Sequence, residues 1–130
     1  MNCSALEKVD ASNGTVTHIR PYAFGACTKL SDVKLSPTLL IINANAFDGC
    51  TAVEALTVPA SVQVIEPNAF NGCTGVTSVS FEKQDWYVAN VEGDNRLLIR
   101  CQDPAEAAEL LCGSFCGWYW FGEDYGTANS

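Results

Sequence analysis

Residues 23–28 read Ala-Phe-Gly-Ala-Cys-Thr, residues 46–51 read Ala-Phe-Asp-Gly-Cys-Thr, and residues 69–74 read Ala-Phe-Asn-Gly-Cys-Thr. The copies begin 23 residues apart both times. A fixed period of roughly 20–50 residues is the signature of a solenoid, in which each unit buries its apolar side only against its neighbours. The repeat therefore predicts the architecture of most of the chain, and it favours a binding function over catalysis.

Each copy is flanked by two apolar segments. After each Cys-Thr, apolar residues alternate with polar ones, which is typical of a strand with one buried face; the alternating pairs are Val33 and Leu35, Leu56 and Val58, and Val79 and Phe81. A second segment precedes each Ala-Phe, at Val16 and Ile19, Leu39 and Ile42, and Val62 and Ile65. A partial copy begins at Cys3, with a one-residue slip near Asn13-Gly14. The sequence thus predicts three full repeats and a partial one over residues 1–81.

The aligned copies also predict a core. Phe24, Phe47 and Phe70 should stack as one buried column. Ile19, Ile42 and Ile65 should form the column beside it, because residues one repeat apart occupy equivalent positions on successive rungs of a solenoid.

The pattern Ile-x-x-x-Ala-Phe-x-Gly-Cys-Thr, followed by alternating apolar residues, resembles the BspA-like or type-5 leucine-rich repeat over roughly residues 3 to 81. This resemblance implies a repeat solenoid, specifically a right-handed leucine-rich-repeat solenoid of parallel β-strands. Members of the family are mostly large surface proteins of gut and oral bacteria and of protozoan parasites, implicated in adhesion. Similar units occur in genes of gut bacteriophages. The stretch from Trp86 to Trp120 is similar to the C-terminal closing segment of such proteins.

Residues 82–130 leave the repeat and are predicted to form a capping segment. Strand-like sequence up to Val91 and again over 96–101 flanks the turn at 92–95, which indicates a β-hairpin. Asp103-Pro104 then supplies a helix N-cap with proline at the first helical position. The aromatic run near residue 120 has two interpretations, a cap over the open end of the solenoid or an exposed patch that binds a sugar ring or a protein.

Composition limits the partners. The chain has 130 residues, of which 48% are hydrophobic and 17% charged, with a net charge of −8. Residues 1–81 carry −2 and residues 82–130 carry −6, and such a surface repels nucleic acid and anionic lipid. No secretory signal, long apolar span or lipidation motif is visible. We therefore expect either a fragment of a longer protein at the cell surface or in the extracellular space, or a virion protein.

The cysteines and the single histidine favour structure over chemistry. Cys3, Cys27, Cys50 and Cys73 share one column of the repeat, and we expect the last three to be buried thiols without bridges or metal. Cys101, Cys112 and Cys116 lack an obvious fourth zinc ligand. His18 occupies an aliphatic column, so we expect a half-exposed strand or turn residue and not a catalytic base. The sequence predicts no enzyme activity, no cofactor and no metal site.

Two functional hypotheses remain, a module for adhesion that recognises a protein or glycan partner, and a bacteriophage structural component in a tail, fibre or capsid. Either could act within a larger particle or a longer chain. The predicted binding residues are the outward positions of the first strands together with the aromatic run: Lys8, Asp10, Asp32, Lys34, Ala55, Thr57, Ser78, Ser80, Trp118, Tyr119 and Trp120. Deleting residues 102–130 is expected to expose the last rung and cause aggregation.

Overall fold

The computed structural model describes residues 5–90 and 97–122. Each repeat contributes two short strands. The first set comprises β1 (Lys8–Asp10), β3 (Asp32–Lys34), β5 (Ala55–Val58) and β7 (Ser78–Phe81). The second set comprises β2 (His18–Ile19), β4 (Ile41–Ile42) and β6 (Val64–Ile65). The C-terminal segment adds β8 (Asp85–Ala89), β9 (Leu97–Arg100), helix α1 (Pro104–Glu109), a π-helical turn (Leu110–Ser114) and β10 (Tyr119–Phe121).

The strands pair in the register that the repeat predicts. In the second set, β2, β4 and β6 are parallel, and Ile19, Ile42 and Ile65 lie side by side. In the first set, β1 pairs with β3 and β5 pairs with β7, again in parallel and one repeat apart. These four strands form two separate two-stranded ladders, with no ladder between β3 and β5. The predicted repeat fold is confirmed.

The phenylalanine column is also confirmed. The Phe47 ring lies 5.2 Å from the rings of both Phe24 and Phe70, with interplanar angles of 20° and 4°. Phe47 and Phe70 are each 1% exposed. Phe24 is only half-buried and Val16 is 44% exposed, because both lie in the rung at the N-terminal end, where no earlier rung covers them within the described residues. The prediction of full burial was wrong for Phe24.

The loop that carries Ala-Phe is held in the same shape in each repeat. Tyr22, Asn45 and Asn68 have positive φ angles of 57°, 59° and 64°. Four residues later the backbone is again left-handed, at Ala26, Gly49 and Gly72. Asparagine and glycine tolerate this region, whereas other residues are strained there. The first repeat therefore keeps the loop shape with two less suitable residues, Tyr22 and Ala26.

The interior cysteines support the loop of the preceding rung. The Cys50 thiol donates to the carbonyl oxygen of Phe24 at 3.0 Å, and the Cys73 thiol donates to that of Phe47 at 3.1 Å. Both are free thiols, as predicted. Cys27, in contrast, is disulfide-bonded, so the prediction of a free thiol was wrong there. The sequence has no Ala-Phe pair one repeat before Cys27 whose carbonyl oxygen could accept its proton. Cys3 lies outside the described residues.

The C-terminal segment packs against the repeats at two places. The predicted hairpin is present as the antiparallel pair β8 and β9, although its turn lies outside the described residues. Helix α1 begins at the predicted cap, where the Asp103 carboxylate accepts from the N–H of Ala105, and α1 packs against β7. Strand β10 inserts between β6 and β8, antiparallel to both. The last rung of each strand set is therefore covered.

Candidate functional site

The eight predicted positions on the first strands lie in two rows. Lys8 faces Asp32, and Asp10 faces Lys34. Ala55 faces Ser78, and Thr57 faces Ser80 on the other ladder. Asp32 and Ser78 are half-buried and the rest are exposed. We call this surface the polar face.

Charges on the polar face are matched within the molecule. Each cross-strand charged pair joins opposite signs, an arrangement that is mildly stabilising. Asp10 also accepts hydrogen bonds from the side chain and the backbone N–H of Ser12, at 2.6 and 3.0 Å. These bonds, with smaller contributions from Lys34 and Lys8, lower the pKa of Asp10 below its usual value. The polar face thus presents no unbalanced charge to a partner.

The aromatic run divides between core and surface. Trp120 is 1% exposed, stacks on Phe81 at 5.6 Å with an interplanar angle of 7°, and donates from Nε1 to the carbonyl oxygen of Phe115 at 3.0 Å. Trp118 is half-buried and packs edge-on against Phe115 at 4.9 Å. Tyr119 lies on the opposite side of β10 and is half-buried. Trp120 is therefore a capping residue, and of the three only Trp118 and Tyr119 remain accessible.

Strand β10 also joins the second strand set to the cap as one sheet with the order β2-β4-β6-β10-β8-β9. On its outer side, one cross-strand row crosses every strand. Successive members are direct register partners: His18, Ile41, Val64, Phe121, Tyr87 and Leu98. We call these six residues the outer row.

The outer row is apolar along most of its length and remains accessible. His18 and Leu98 are exposed, and the four residues between them are half-buried. Tyr119 adds a further ring, 5.6 Å from Phe121 and inclined by 10°. Polar groups border the row, including the Asp85–Arg100 ion pair at 3.3 Å between Oδ1 and Nε. An accessible apolar strip with a polar border has the anatomy of a protein interface.

None of the six residues of the outer row is among the binding residues predicted from the sequence. The doublets Ile41-Ile42 and Val64-Ile65 were the available signal, because a strand with only one apolar face does not place two aliphatic residues side by side. The sequence does not show that the C-terminal segment contributes residues to the outer row, because the pairing of β10 with β6 joins residues more than 50 positions apart in the chain.

The described residues offer little for chemistry. Within residues 5–90 and 97–122, no group of three histidine, cysteine or acidic side chains could hold a metal ion. The Nδ1 atom of His18 lies 2.9 Å from the Thr17 hydroxyl, in an exposed pair. Burial raises the pKa of the thiols of both Cys101 and Cys112 to about 12, with smaller contributions from Glu106 and Asp85 at Cys101 and from Cys116 at Cys112. Both thiols are therefore protonated and unreactive near neutral pH.

In the same described ranges, no helix is long and apolar enough to cross a membrane.

Comparison with known proteins agrees with the repeat architecture. The sequence matches the BspA type leucine-rich repeat region, in six copies, over residues 1–91. A leucine-rich repeat protein from Bacteroides capillosus ATCC 29799, known from a crystal structure, is 36% identical and superposes with a TM-score of 0.50. That alignment covers 63% of this chain and 62% of the other protein. None of the curated proteins compared with the sequence is significantly similar to it.

The match to the repeat region covers more than half of the chain, and the structure has parallel strands in register one repeat apart. The chain belongs to the BspA-type leucine-rich repeat family.

Proposed function

We propose that this chain is a non-catalytic recognition module that binds a protein partner through the outer row. The observation that carries the proposal is the accessible apolar row that crosses all six strands of the largest sheet. Family membership supports it, because repeats of this type are binding and adhesion modules without catalytic function.

The row suits a protein partner because its side chains are held in place. Ile41, Val64, Phe121 and Tyr87 belong to strands that are paired on both edges. Aromatic and branched side chains on such strands lose little conformational entropy when they are covered, and aromatic residues are enriched at interface centres. Trp118 and Tyr119 would extend the contact at the cap.

The polar face is the alternative contact surface. Its eight residues remain candidates, but their matched charges and short side chains offer a weaker basis for affinity than the row does.

The proposal includes the finer architecture. We infer a right-handed solenoid over residues 1–81, since crossover connections between parallel strands are right-handed in nearly all proteins. Residues 82–130 would be its cap. Members of the family are typically surface-associated, and we propose a cell-surface or extracellular setting for adhesion.

Site-specific photocrosslinking tests the proposal. A photoreactive phenylalanine analogue replaces Tyr119 beside the row in one variant and Thr57 on the polar face in a matched control. Both are incubated with surface and secreted proteins of the source organism and its surroundings. We expect the analogue at position 119, and not at position 57, to capture a discrete protein, and the capture to disappear when Val64→Glu is added.

Capture only from position 57 would assign binding to the polar face, and equal capture from both positions would contradict a localised site. Parallel binding to a glycan array, abolished by Tyr119→Ala, would replace the protein partner by a carbohydrate.

A further inference from the structure

The six-stranded sheet has two free edges within the described residues, β2 at one end and β9 at the other. His18 occupies the same place in β2 as Ile41 does in β4. The N–H of Ile41 points back to the preceding strand, where it donates to the carbonyl oxygen of Thr17. The peptide groups of His18 therefore point out of the sheet. Just after β9, the N–H of Cys101 points towards β8, because it donates to the carbonyl oxygen of Gln84, the residue before β8. Because strand residues alternate in direction, the peptide groups of Leu98 and Arg100 point outward.

Exposed apolar side chains collect at the same two edges. Among the described residues, the exposed large apolar side chains are Val16 (44%) and Tyr22 (62%) near β2, and Leu97 and Leu98 (48% each) on β9. Beside β2 there is a cavity of about 300 Å³, bounded mainly by apolar side chains that include Val9, Val16, Ile19, Phe24, Leu35 and Leu39. Leu97 faces the core side of its sheet, since its register partner is the buried Val88.

The two edges differ in the charge of the side chains around them. Near β9 and α1 the exposed charged side chains are mostly acidic, with Asp85, Asp103, Glu106 and Glu109 against Arg100, which pairs with Asp85. Lys8 and Arg20 are exposed at the β1 and β2 end. Glu106 and Glu109 are exposed on α1, which packs on β7, the last strand of the first set. In an end-to-end arrangement these opposite charges would approach each other.

Strand direction permits this arrangement without turning either molecule over. Strands β6 and β8 have the same direction because both are antiparallel to β10, and β2 is parallel to β6 through β4. Strand β9 is antiparallel to β8 and therefore has the opposite direction to β2. Strand β9 of one copy, placed next to β2 of a second copy, would form an antiparallel pair. This is the same kind of pairing that β10 makes with β6.

We propose that copies of this chain associate head to tail, with β9 of one copy beside β2 of the next and Leu97 in the apolar cavity. Such a contact joins two different surfaces, so it repeats and yields open-ended chains of subunits. The outer row would continue from Leu98 of one copy to His18 of the next. The proposal does not depend on the partner of the outer row.

Two variants and a control test it by sedimentation velocity. Val16→Glu introduces a negative charge into the β2 end, and Leu97→Lys introduces a positive charge at β9, so each opposes the charge of its partner surface. Thr57→Lys, on the exposed polar face, is the control. Far-UV circular dichroism and urea denaturation confirm that all three fold.

Wild type and Thr57→Lys are expected to show an average mass that rises with protein concentration past that of a dimer, and added salt should weaken this association. Each edge variant alone should associate at least about tenfold more weakly. An equimolar mixture of the two edge variants should recover association, because the intact β9 edge of Val16→Glu can pair with the intact β2 edge of Leu97→Lys.

A wild-type protein that is monomeric at about 1 mM would overturn the proposal. So would association that stops at the dimer and is unaffected by Leu97→Lys, since that result indicates a two-fold contact between β2 edges. Loss of association in all three variants, or in neither edge variant, would also contradict it.

Discussion

Replacement of Phe47 by alanine tests the packing of the repeats. Its ring is 1% exposed and stacks against both neighbours at 5.2 Å. Loss of a buried phenylalanine costs about 3–5 kcal/mol, including the cavity that it leaves. Since each aromatic contact adds about 0.5–1.5 kcal/mol, we expect a value near the upper end of that range, about 4–5 kcal/mol.

The expected loss depends on the place in the column. Phe24→Ala removes a half-buried ring that, among the described residues, stacks on Phe47 alone, so we expect a loss of about 2 kcal/mol. Phe47→Leu keeps most of the buried volume and should cost about 1–1.5 kcal/mol.

Urea denaturation measures these differences with two probes. All three tryptophans lie at or after residue 86, so their fluorescence reports on the cap, while far-UV circular dichroism reports on the whole chain. The two transitions should coincide in wild type, because each rung is stabilised by its neighbours. A loss below about 1.5 kcal/mol for Phe47→Ala, or equal losses at positions 24 and 47, would refute a continuous stacked column.

Four further predictions follow from single features. Ala26→Gly should raise the free energy of unfolding by about 1 kcal/mol in urea titrations, because Ala26 has φ of +58° where later repeats have glycine. Gly75→Ala should lower it by about 1–3 kcal/mol in the same assay, since the added Cβ would lie 2.4 Å from the carbonyl oxygen of Thr51. Burial, with smaller contributions from nearby acidic groups, raises the pKa of Cys101 from 9.0 to about 12. Its contribution to stability is therefore complete below pH 9 and is lost as pH rises towards 12, and alkylation in the folded protein should show the higher pKa. Deletion of residues 102–130 should cause aggregation detectable by light scattering, because α1 and β10 cover the last strands; a soluble monomeric truncation would contradict the capping role.

Most of the repeat fold could be predicted from the sequence because its interactions recur. The Ala-Phe spacing predicted the phenylalanine column and the register of β2, β4 and β6, since each rung meets an equivalent rung. The predictions that were wrong, full burial of Phe24 and a free thiol at Cys27, concern the first rung, where the periodic environment ends.

Less of the candidate site could be predicted. The polar face follows from the alternation within one strand, and its residues lie where the sequence placed them. The outer row depends on the insertion of β10 beside β6, a long-range pairing between a repeat strand and a non-repeating strand. No period in the sequence encodes that contact, and with one sequence alone nothing indicates which side of β10 faces the core.

The role of the outer row is tested most directly by measuring the affinity of the protein captured by crosslinking for two matched variants, Ile41→Lys in the row and Thr57→Lys on the polar face. Both replace an accessible strand residue by the same charged side chain. Biolayer interferometry should show at least a tenfold increase in Kd for Ile41→Lys, about 1.4 kcal/mol, and less than about a twofold change for Thr57→Lys. Unchanged affinity in Ile41→Lys, with a loss in Thr57→Lys, would contradict recognition through the outer row.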